Sequence, residues 1–172
     1  MQFCPHCRST LEELPWVGRV RKVCLSEGCG FVHWDNPLPV VAAIVDHEES
    51  GRILLARNAA WPMEFYGLIT GFLERDESPQ EAVAREVKEE TDLDAFATHL
   101  VGVYPFHRKN ELIIAFHVQA CGEIRLSEEL ASYKLIAPEK LYPWEGGTGD
   151  AVRDWLVGWR GSAPPPVPVP MA

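Results

Sequence analysis

The stretch Gly71–Leu93 constrains this chain most, because it combines a glycine, a helix start signal and a cluster of acids in one run. Ser78 is a favoured N-cap residue, and Pro79 suits the first helical position, where its missing N–H would be unpaired anyway. Glu81, three residues after Ser78, completes a capping box. The sequence therefore predicts a helix that begins near Pro79 and ends near Thr91.

Three acids of this helix, Glu86, Glu89 and Glu90, share one face. Their spacing places them within roughly 100° of arc, where like charges repel one another. One interpretation is a solvated acidic face, which is the usual meaning of a charge run. The other is that a divalent cation neutralises the acids, since carboxylate oxygens suit Mg²⁺ and Mn²⁺. The spacing alone leaves both interpretations open.

The run resembles the Nudix box, G-x5-E-x7-R-E-U-x-E-E-x-G-U, in which U is a bulky apolar residue. Gly71 is the first glycine and Glu77 is the acid that follows it. The other matching positions are Arg85, Glu86, Val87, Glu89, Glu90 and Leu93. Asp92 stands where the second glycine belongs. That position ends the helix, and Asp tolerates the left-handed conformation better than most residues.

The resemblance implies a fold, a reaction and a cofactor. The fold is the Nudix α/β/α sandwich, an α+β class with a mixed sheet, over residues 39–160. The reaction is hydrolysis of the pyrophosphate bond in a nucleoside diphosphate linked to a group X, a small-molecule partner. The cofactor is Mg²⁺ or Mn²⁺, which spreads phosphate charge and lowers the pKa of bound water. Many Nudix proteins dimerise, so a homodimer is expected by analogy alone.

The resemblance also implies roles for the residues of the box. Glu86 and Glu90 would be the main metal ligands, and Glu89 a third ligand or the base that activates water. Glu77 and Arg85 would pair and fix the loop against the helix. Two further candidates for facing the metal are the Gly71 carbonyl and Glu74, and Glu74 is equally well interpreted as a solvated loop acid.

Aromatic residues around the box are candidates for stacking on a base or flavin ring, although core or loop packing is the more common role of each such residue. They are Trp61, Phe65, Tyr66, Tyr104 and Phe106. Acids that could supply a late carboxylate are Glu111, Glu128 and Glu129.

A second pattern lies near the N-terminus, where a CxxC pair precedes a Cx4C pair. The four cysteines are Cys4, Cys7, Cys24 and Cys29. This pattern predicts a structural Zn²⁺ site in which protein thiolates fill all four tetrahedral positions. A redox CxxC or two disulfides are the alternatives, and His6 and His33 are alternative ligands. The fifth cysteine, Cys121, is interpreted as a small apolar residue at a strand end.

This N-terminal module, residues 1–34, resembles the zinc ribbon that precedes the Nudix domain in NADH pyrophosphatases and related proteins. So short a module buries little core, and zinc would supply the missing stability. The GF-x-E form of the box, Gly71–Glu74, resembles the same branch. The downstream SQPWPFP-type signature of that branch is missing, so FAD and ADP-ribose hydrolases fit at least as well.

The other segments follow from periodicity and from turn residues. Phe31–Pro39 is interpreted as a linker, and the gap between the cysteine pairs suits two short strands. In the second domain we predict strands at residues 40–46, 52–57, 66–70, 95–106, 112–120 and 130–137, the first two paired as a hairpin. A helical turn follows at residues 139–141 and a helix at 149–159. The proline-rich residues 161–172 are expected to be a flexible or polyproline tail.

Composition limits the other classes of function. The formal net charge of −9 disfavours sequence-independent binding to nucleic acid. No apolar run approaches the roughly 20 residues that span a bilayer, and no signal pattern opens the chain, so a cytoplasmic protein without membrane partners is expected. Two alternatives to the enzyme stay open: a non-catalytic Nudix domain that senses a nucleotide metabolite, and a zinc-mediated interaction module.

Overall fold

A computed structural model describes residues 1–160 and 167–168. The chain divides into two compact units, Met1–Pro37 and Leu38–Ala172. No helix among the described residues is long and apolar enough to cross a membrane.

The first unit is a three-stranded antiparallel sheet. Its strands are β1 (Glu12–Trp16), β2 (Arg19–Val23) and β3 (Val32–His33), paired in that order. The β1–β2 turn has positive φ at both central residues, 47° at Val17 and 76° at Gly18, which suits a two-residue hairpin. The interpretation of Phe31–Pro39 as a linker is wrong at its start, because Val32–His33 form the strand β3, which pairs with β2.

The core of the first unit is very small. Its hydrophobic cluster consists of the buried Cys4, Leu11 and Cys24, with the partly buried Cys29 and Phe31 packed against them, and Val23 is buried as well. Three of the five residues in this cluster are cysteines, so the cluster consists mostly of the side chains that carry the thiols. Apolar burial on this scale stabilises a fold only weakly.

The second unit is a mixed sheet with one helix on each face. Its elements are β4 (Leu38–His47), β5 (Arg52–Asn58), β6 (Ile69–Phe72), α1 (Pro79–Thr91), β7 (Asp94–Phe106), β8 (Glu111–Cys121), β9 (Leu130–Ile136), a 3-10 turn (Pro138–Lys140), α2 (Gly149–Arg160) and β10 (Val167–Pro168). The strand order is β10-β7-β8-β4-β5-β9, and β6 pairs with β4. The β4–β8 pair is parallel and the other pairs are antiparallel.

Two hydrophobic clusters hold the layers together. On one face, Val83 and Val87 of α1 pack with Val41 and Val45 of β4. On the other face, residues of α2 such as Val152 pack with alternate residues of β4, among them Ala42 and Ile44. Alternate residues of one strand thus serve both layers, as the pleat requires. The predicted α/β/α sandwich with a mixed sheet is confirmed.

The helix α1 has the ends that the sequence predicts. The Ser78 hydroxyl accepts from the Glu81 N–H at 3.3 Å, and the Glu81 carboxylate accepts from the Ser78 N–H at 2.7 Å. Asp92 ends the helix in the left-handed conformation, with φ 60°, and donates its N–H to the Lys88 carbonyl. The departure from glycine at Asp92 therefore leaves the helix end intact.

Two other predictions need correction or fall outside the structure. The strand expected at residues 66–70 lies at Ile69–Phe72, because its register with β4 runs from Val40–Phe72 to Ala43–Ile69. The expected flexible tail at residues 161–172 lies outside the described residues except for β10, which pairs with β7.

Candidate active site

Gly71 is the point at which β6 approaches the helix α1. A Cβ built on Gly71 would lie 1.8 Å from Cδ of Glu86, far inside van der Waals contact. Only glycine therefore allows β6 and the Glu86 carboxyl group to lie so close together. The Gly71 position brings a strand backbone directly beside an acid of α1.

Arg85 connects three acids of the box. Its guanidinium donates to both Glu77 oxygens, at 2.8 and 3.1 Å, and to Glu86 at 2.8 Å and Glu89 at 2.9 Å. Two N–H groups bonded to one carboxylate fix both side chains in one plane. The hydrogen bonds from Arg85 lower the pKa of Glu77, and the bond to Glu77 raises the pKa of Arg85.

The loop before α1 is tied to the helix by the same pair. The Glu77 carboxylate also accepts from the backbone N–H of Glu74 at 2.7 Å. Arg85 donates to the backbone carbonyl of Phe72 at 3.1 Å. The backbone on both sides of residue 73 is thus hydrogen-bonded to the ion pair. The Glu74 contact described here is made by its backbone, so the role of its side chain stays a prediction.

Glu90 differs from its neighbours because Arg85 does not reach it. It is half-buried and has no salt bridge among the described residues. Burial, followed by the charges of Glu86, Glu129 and Glu89, raises its pKa to about 7. Burial also raises the pKa of Glu86. Ionised acids crowded in this way favour a bound cation, and oxygen donors of this kind fit Mg²⁺ or Mn²⁺.

The raised pKa of Glu90 predicts a fall in stability with rising pH. The folded protein keeps the Glu90 proton up to about pH 7, whereas the unfolded chain releases it near the ordinary value of 4.5. Folding thus takes up a proton between these values, and the stabilisation present below pH 4.5 is lost as pH rises through 7. Without added divalent cations, we expect the free energy of unfolding to fall by about 1–3 kcal/mol between pH 5 and pH 8.

Denaturant unfolding at the two pH values, on the parent and on Glu90→Gln, measures this effect. The variant should show a smaller fall, since glutamine has no proton to release. Added Mg²⁺ should also reduce the fall in the parent, by stabilising the ionised form. An equal fall in parent and variant would contradict the assignment of the shift to Glu90.

An aromatic cavity of about 560 Å³ lies on the sheet face that α2 covers. Three of the predicted ring-binding residues line it: Trp61, Phe65 and Phe106. Trp144 joins them, with its ring centroid 5.6 Å from that of Phe65 in an edge-to-face arrangement. The ring centroid of Trp61 lies 5.4 Å from that of Phe65. Aromatic walls of this kind suit a flat ring.

The other two aromatic candidates have partners elsewhere. The Tyr66 hydroxyl is 3.0 Å from that of Ser132, and Lys134 Nζ lies 3.9 Å from the Tyr66 ring centroid. Tyr104 donates to Asp154 of α2 at 2.9 Å. Neither tyrosine is among the residues that line the aromatic cavity. A role of Tyr66 or Tyr104 in ring binding therefore stays a prediction.

Sequence reasoning missed several lining residues. Trp144 follows Pro143 and precedes a Glu-Gly-Gly loop, and the aromatic–proline pattern was the one signal that could have found it. Arg108 and Lys109 also line the cavity, from the turn between β7 and β8. They are a basic pair in a polar turn, which in a sequence indicates solvent exposure rather than a site.

The cavity and the acid cluster meet at β6. Thr70 lines the cavity, and Gly71, the next residue, lies against Glu86. Successive residues of a strand face opposite sides of the sheet. The cavity and the acids therefore lie on opposite faces, one residue apart along β6.

The four N-terminal cysteines converge in the first unit. Their sulfur atoms all lie within 4.8 Å of one another, and the Cys4–Cys29 and Cys7–Cys24 pairs are at 3.6 and 3.4 Å. These separations exceed the roughly 2.05 Å of a disulfide bond. They approach the edge of a zinc tetrahedron, about 3.8 Å for Zn–S bonds of about 2.3 Å. The cluster could hold a metal ion.

Comparison with known proteins identifies the family. The model of the NUDIX domain matches residues 37–155. The NAD-capped RNA hydrolase NudC of Vibrio atlanticus is 31% identical over 125 residues, 71% of this chain and 43% of that protein. NudC of Mycobacterium bovis is 38% identical over 79 residues, 46% of this chain and 25% of that protein. The aligned chain thus spans less than half the length of these curated relatives.

Solved structures show the same fold. A NUDIX hydrolase from Nitrosomonas europaea superposes with a TM-score of 0.78 at 22% identity, covering 95% of both chains. An ADP-ribose pyrophosphatase from Streptococcus suis gives a TM-score of 0.59 at 22% identity, covering 74% of this chain and 96% of its own. Identities this low show the fold alone. Because the family model covers most of the chain and the fold agrees with it, the protein belongs to the NUDIX domain family.

Proposed function

We propose that this chain hydrolyses the pyrophosphate bond of a nucleoside diphosphate linked to a second group. The observation that carries the proposal is the set of crowded acids on α1, in which Glu90 is half-buried, has a raised pKa and has no basic partner among the described residues. Such a site favours a divalent cation. The solvated-face interpretation fits poorly, because exposed acids do not show a pKa raised by burial.

Each acid has a role that its surroundings support. Glu86 and Glu90, both half-buried, would hold Mg²⁺ or Mn²⁺ together with the Gly71 carbonyl. Glu89 is more exposed, with 58% of its side chain accessible, so it is placed to take a proton from water or to complete the ligand set. When bound, such cations spread the charge of the diphosphate and lower the pKa of bound water. Arg85 and Glu77 act as positioning residues, because they hold the loop against the helix.

The residues that line the cavity indicate which part of the substrate it would bind. Trp61, Phe65 and Trp144 would stack on a flat ring, and Arg108 and Lys109 bring positive charge to the same cavity. We propose ADP-containing substrates such as NADH, ADP-ribose or FAD. The relatives named as NAD-capped RNA hydrolases, together with the basic pair, favour NAD-capped RNA as a second candidate. The expectation that the protein has no nucleic acid partner is therefore not kept as an exclusion.

The other classes fit less well. In a non-catalytic sensor, loss of box residues would be harmless, but here every acid of the box and Arg85 are present and in contact or close together. The cysteine cluster, which we propose holds Zn²⁺, has all four ligand positions filled by protein. It would therefore serve the fold of the first unit rather than the reaction. Domain boundaries at residues 34 and 39 and a homodimer stay predictions.

A panel of substrates tests the proposal. With Mg²⁺ or Mn²⁺, we expect kcat/KM for at least one of NADH, NAD, FAD, ADP-ribose and a NAD-capped oligoribonucleotide to exceed that for oxidised nucleoside triphosphates at least tenfold. Chromatography of the products gives the rates: AMP from NADH, NAD, FAD and ADP-ribose, and nicotinamide mononucleotide with a 5′-phosphorylated oligoribonucleotide from the NAD-capped substrate. Diadenosine polyphosphates complete the panel. Hydrolysis of triphosphates alone would contradict the proposal.

A further inference from the structure

One of the two carboxylates that line the aromatic cavity is largely buried. Glu111 is the first residue of β8, and its side chain is only 14% exposed. Glu111 and Ile113, two residues further along the strand, both line the cavity. Residues i and i+2 of a strand face the same side, so the sheet directs Glu111 toward the aromatic rings.

Among the residues that the structure describes, Glu111 has one charged partner. Lys109 Nζ lies 4.0 Å from its carboxylate, at the outer limit of an ion pair, and the Lys109 side chain is 64% exposed. A carboxylate has about four lone-pair sites, and leaving them unfilled in an enclosed position is costly. Glu77, an acid of similar exposure at 16%, accepts from Arg85 and from a backbone N–H. Glu111 thus has acceptor capacity that a ligand could fill.

The aromatic walls alone would not choose among rings. Stacking on Trp61, Phe65 and Trp144 is tolerant of ring type, since every base has a π-face. Polar groups on the cavity must therefore supply the choice. Of its two carboxylates, Glu145 is exposed to solvent, whereas Glu111 is enclosed beside the rings.

We propose that Glu111 selects the stacked ring by accepting a hydrogen bond from an exocyclic amino group. Adenine offers such a donor at N6, and nicotinamide offers one on its carboxamide. Hypoxanthine has a carbonyl at the same place, and its oxygen would face the negative Glu111 oxygens. The inference rests on the proposed function and narrows its substrates to those whose stacked ring bears an N–H₂ group.

Deaminated analogues test this selection directly. Wild type is expected to bind AMP about 10- to 100-fold more tightly than IMP, and to show the same preference in kcat/KM for ADP-ribose over its hypoxanthine analogue. In Glu111→Gln both preferences should fall to within about threefold, because an amide can accept from an amino group and donate to a carbonyl. Glu145→Gln is the matched control: it removes the same charge from the same cavity and should keep the parent preference.

Binding measured by calorimetry separates this inference from the proposed reaction. Equal binding of AMP and IMP by wild type, or no measurable binding of AMP at millimolar concentration, would overturn the role of Glu111. An unchanged preference in Glu111→Gln, or an equal loss in Glu145→Gln, would overturn it as well. If AMP and IMP are distinguished through Glu111 but no diphosphate is cleaved, the inference is supported while the proposed function fails.

Discussion

Replacing Glu90 by glutamine is expected to lower kcat/KM on the best substrate of the panel by about 10³-fold or more. The substitution keeps the shape of the side chain but removes one of the two half-buried carboxylates that would hold the catalytic cation. Several kcal/mol of charge stabilisation in the transition state would be lost with it. Titration with Mn²⁺, followed by electron paramagnetic resonance, should show weaker binding in parallel.

The fold should survive this change. Glutamine has no charge to desolvate, so the variant should be at least as stable as the parent at pH 8, where the parent carries a buried negative charge. Glu48→Gln is the matched control, since Glu48 is an exposed acid in the β4–β5 turn and should leave turnover unchanged. Hydrolysis at the parental rate in Glu90→Gln would refute the ligand assignment.

The second large effect concerns the cysteines of the first unit. We expect protein purified without chelators to contain about one zinc ion per chain, and Cys24→Ser to contain almost none. Because the core of this unit is little more than Leu11, Val23 and the cysteines themselves, loss of zinc should abolish its fold. Amide hydrogen exchange should then show unprotected amides in β1 and β2.

Cys121→Ser is the control for the thiol itself. Cys121 lies at the end of β8, outside the cluster, so its variant should keep the metal and the protection of β1 and β2. Metal content measured by mass spectrometry distinguishes the two variants. A parent protein with no zinc and four reactive thiols, or a Cys24→Ser protein whose first unit stays protected, would disprove the structural zinc site.

The helix α1 could be predicted to the residue because its signals are local. Ser78, Pro79 and Glu81 fix its start through bonds within one turn, and Asp92 fixes its end. The contacts among the acids follow from the same helical spacing. Where structure depends on neighbours within four residues, the sequence holds the information.

The aromatic cavity could be predicted only in part, because it depends on contacts between distant segments. Tyr66 packs on the same α2-side cluster as Phe106 and Trp144, but its hydroxyl pairs with Ser132 and its ring with Lys134, both in β9. Trp144 is far from Phe65 in sequence and meets it only after α2 and its preceding loop have packed. Nothing local marks such a pair. The two-residue strand β3 escaped prediction for the same reason, since it exists only through its pairing with β2.

If the ring and the diphosphate bind as proposed, the single-residue step from Thr70 to Gly71 fixes the distance between the two binding sites. A substrate whose ring occupies the cavity has to cross the thickness of a strand before its anhydride reaches the acids. The span between ring and scissile phosphorus would then decide what is cleaved, whatever the chemical nature of the leaving portion. Compounds that differ only in the length of this connecting arm should consequently separate into good and poor substrates at a sharp threshold.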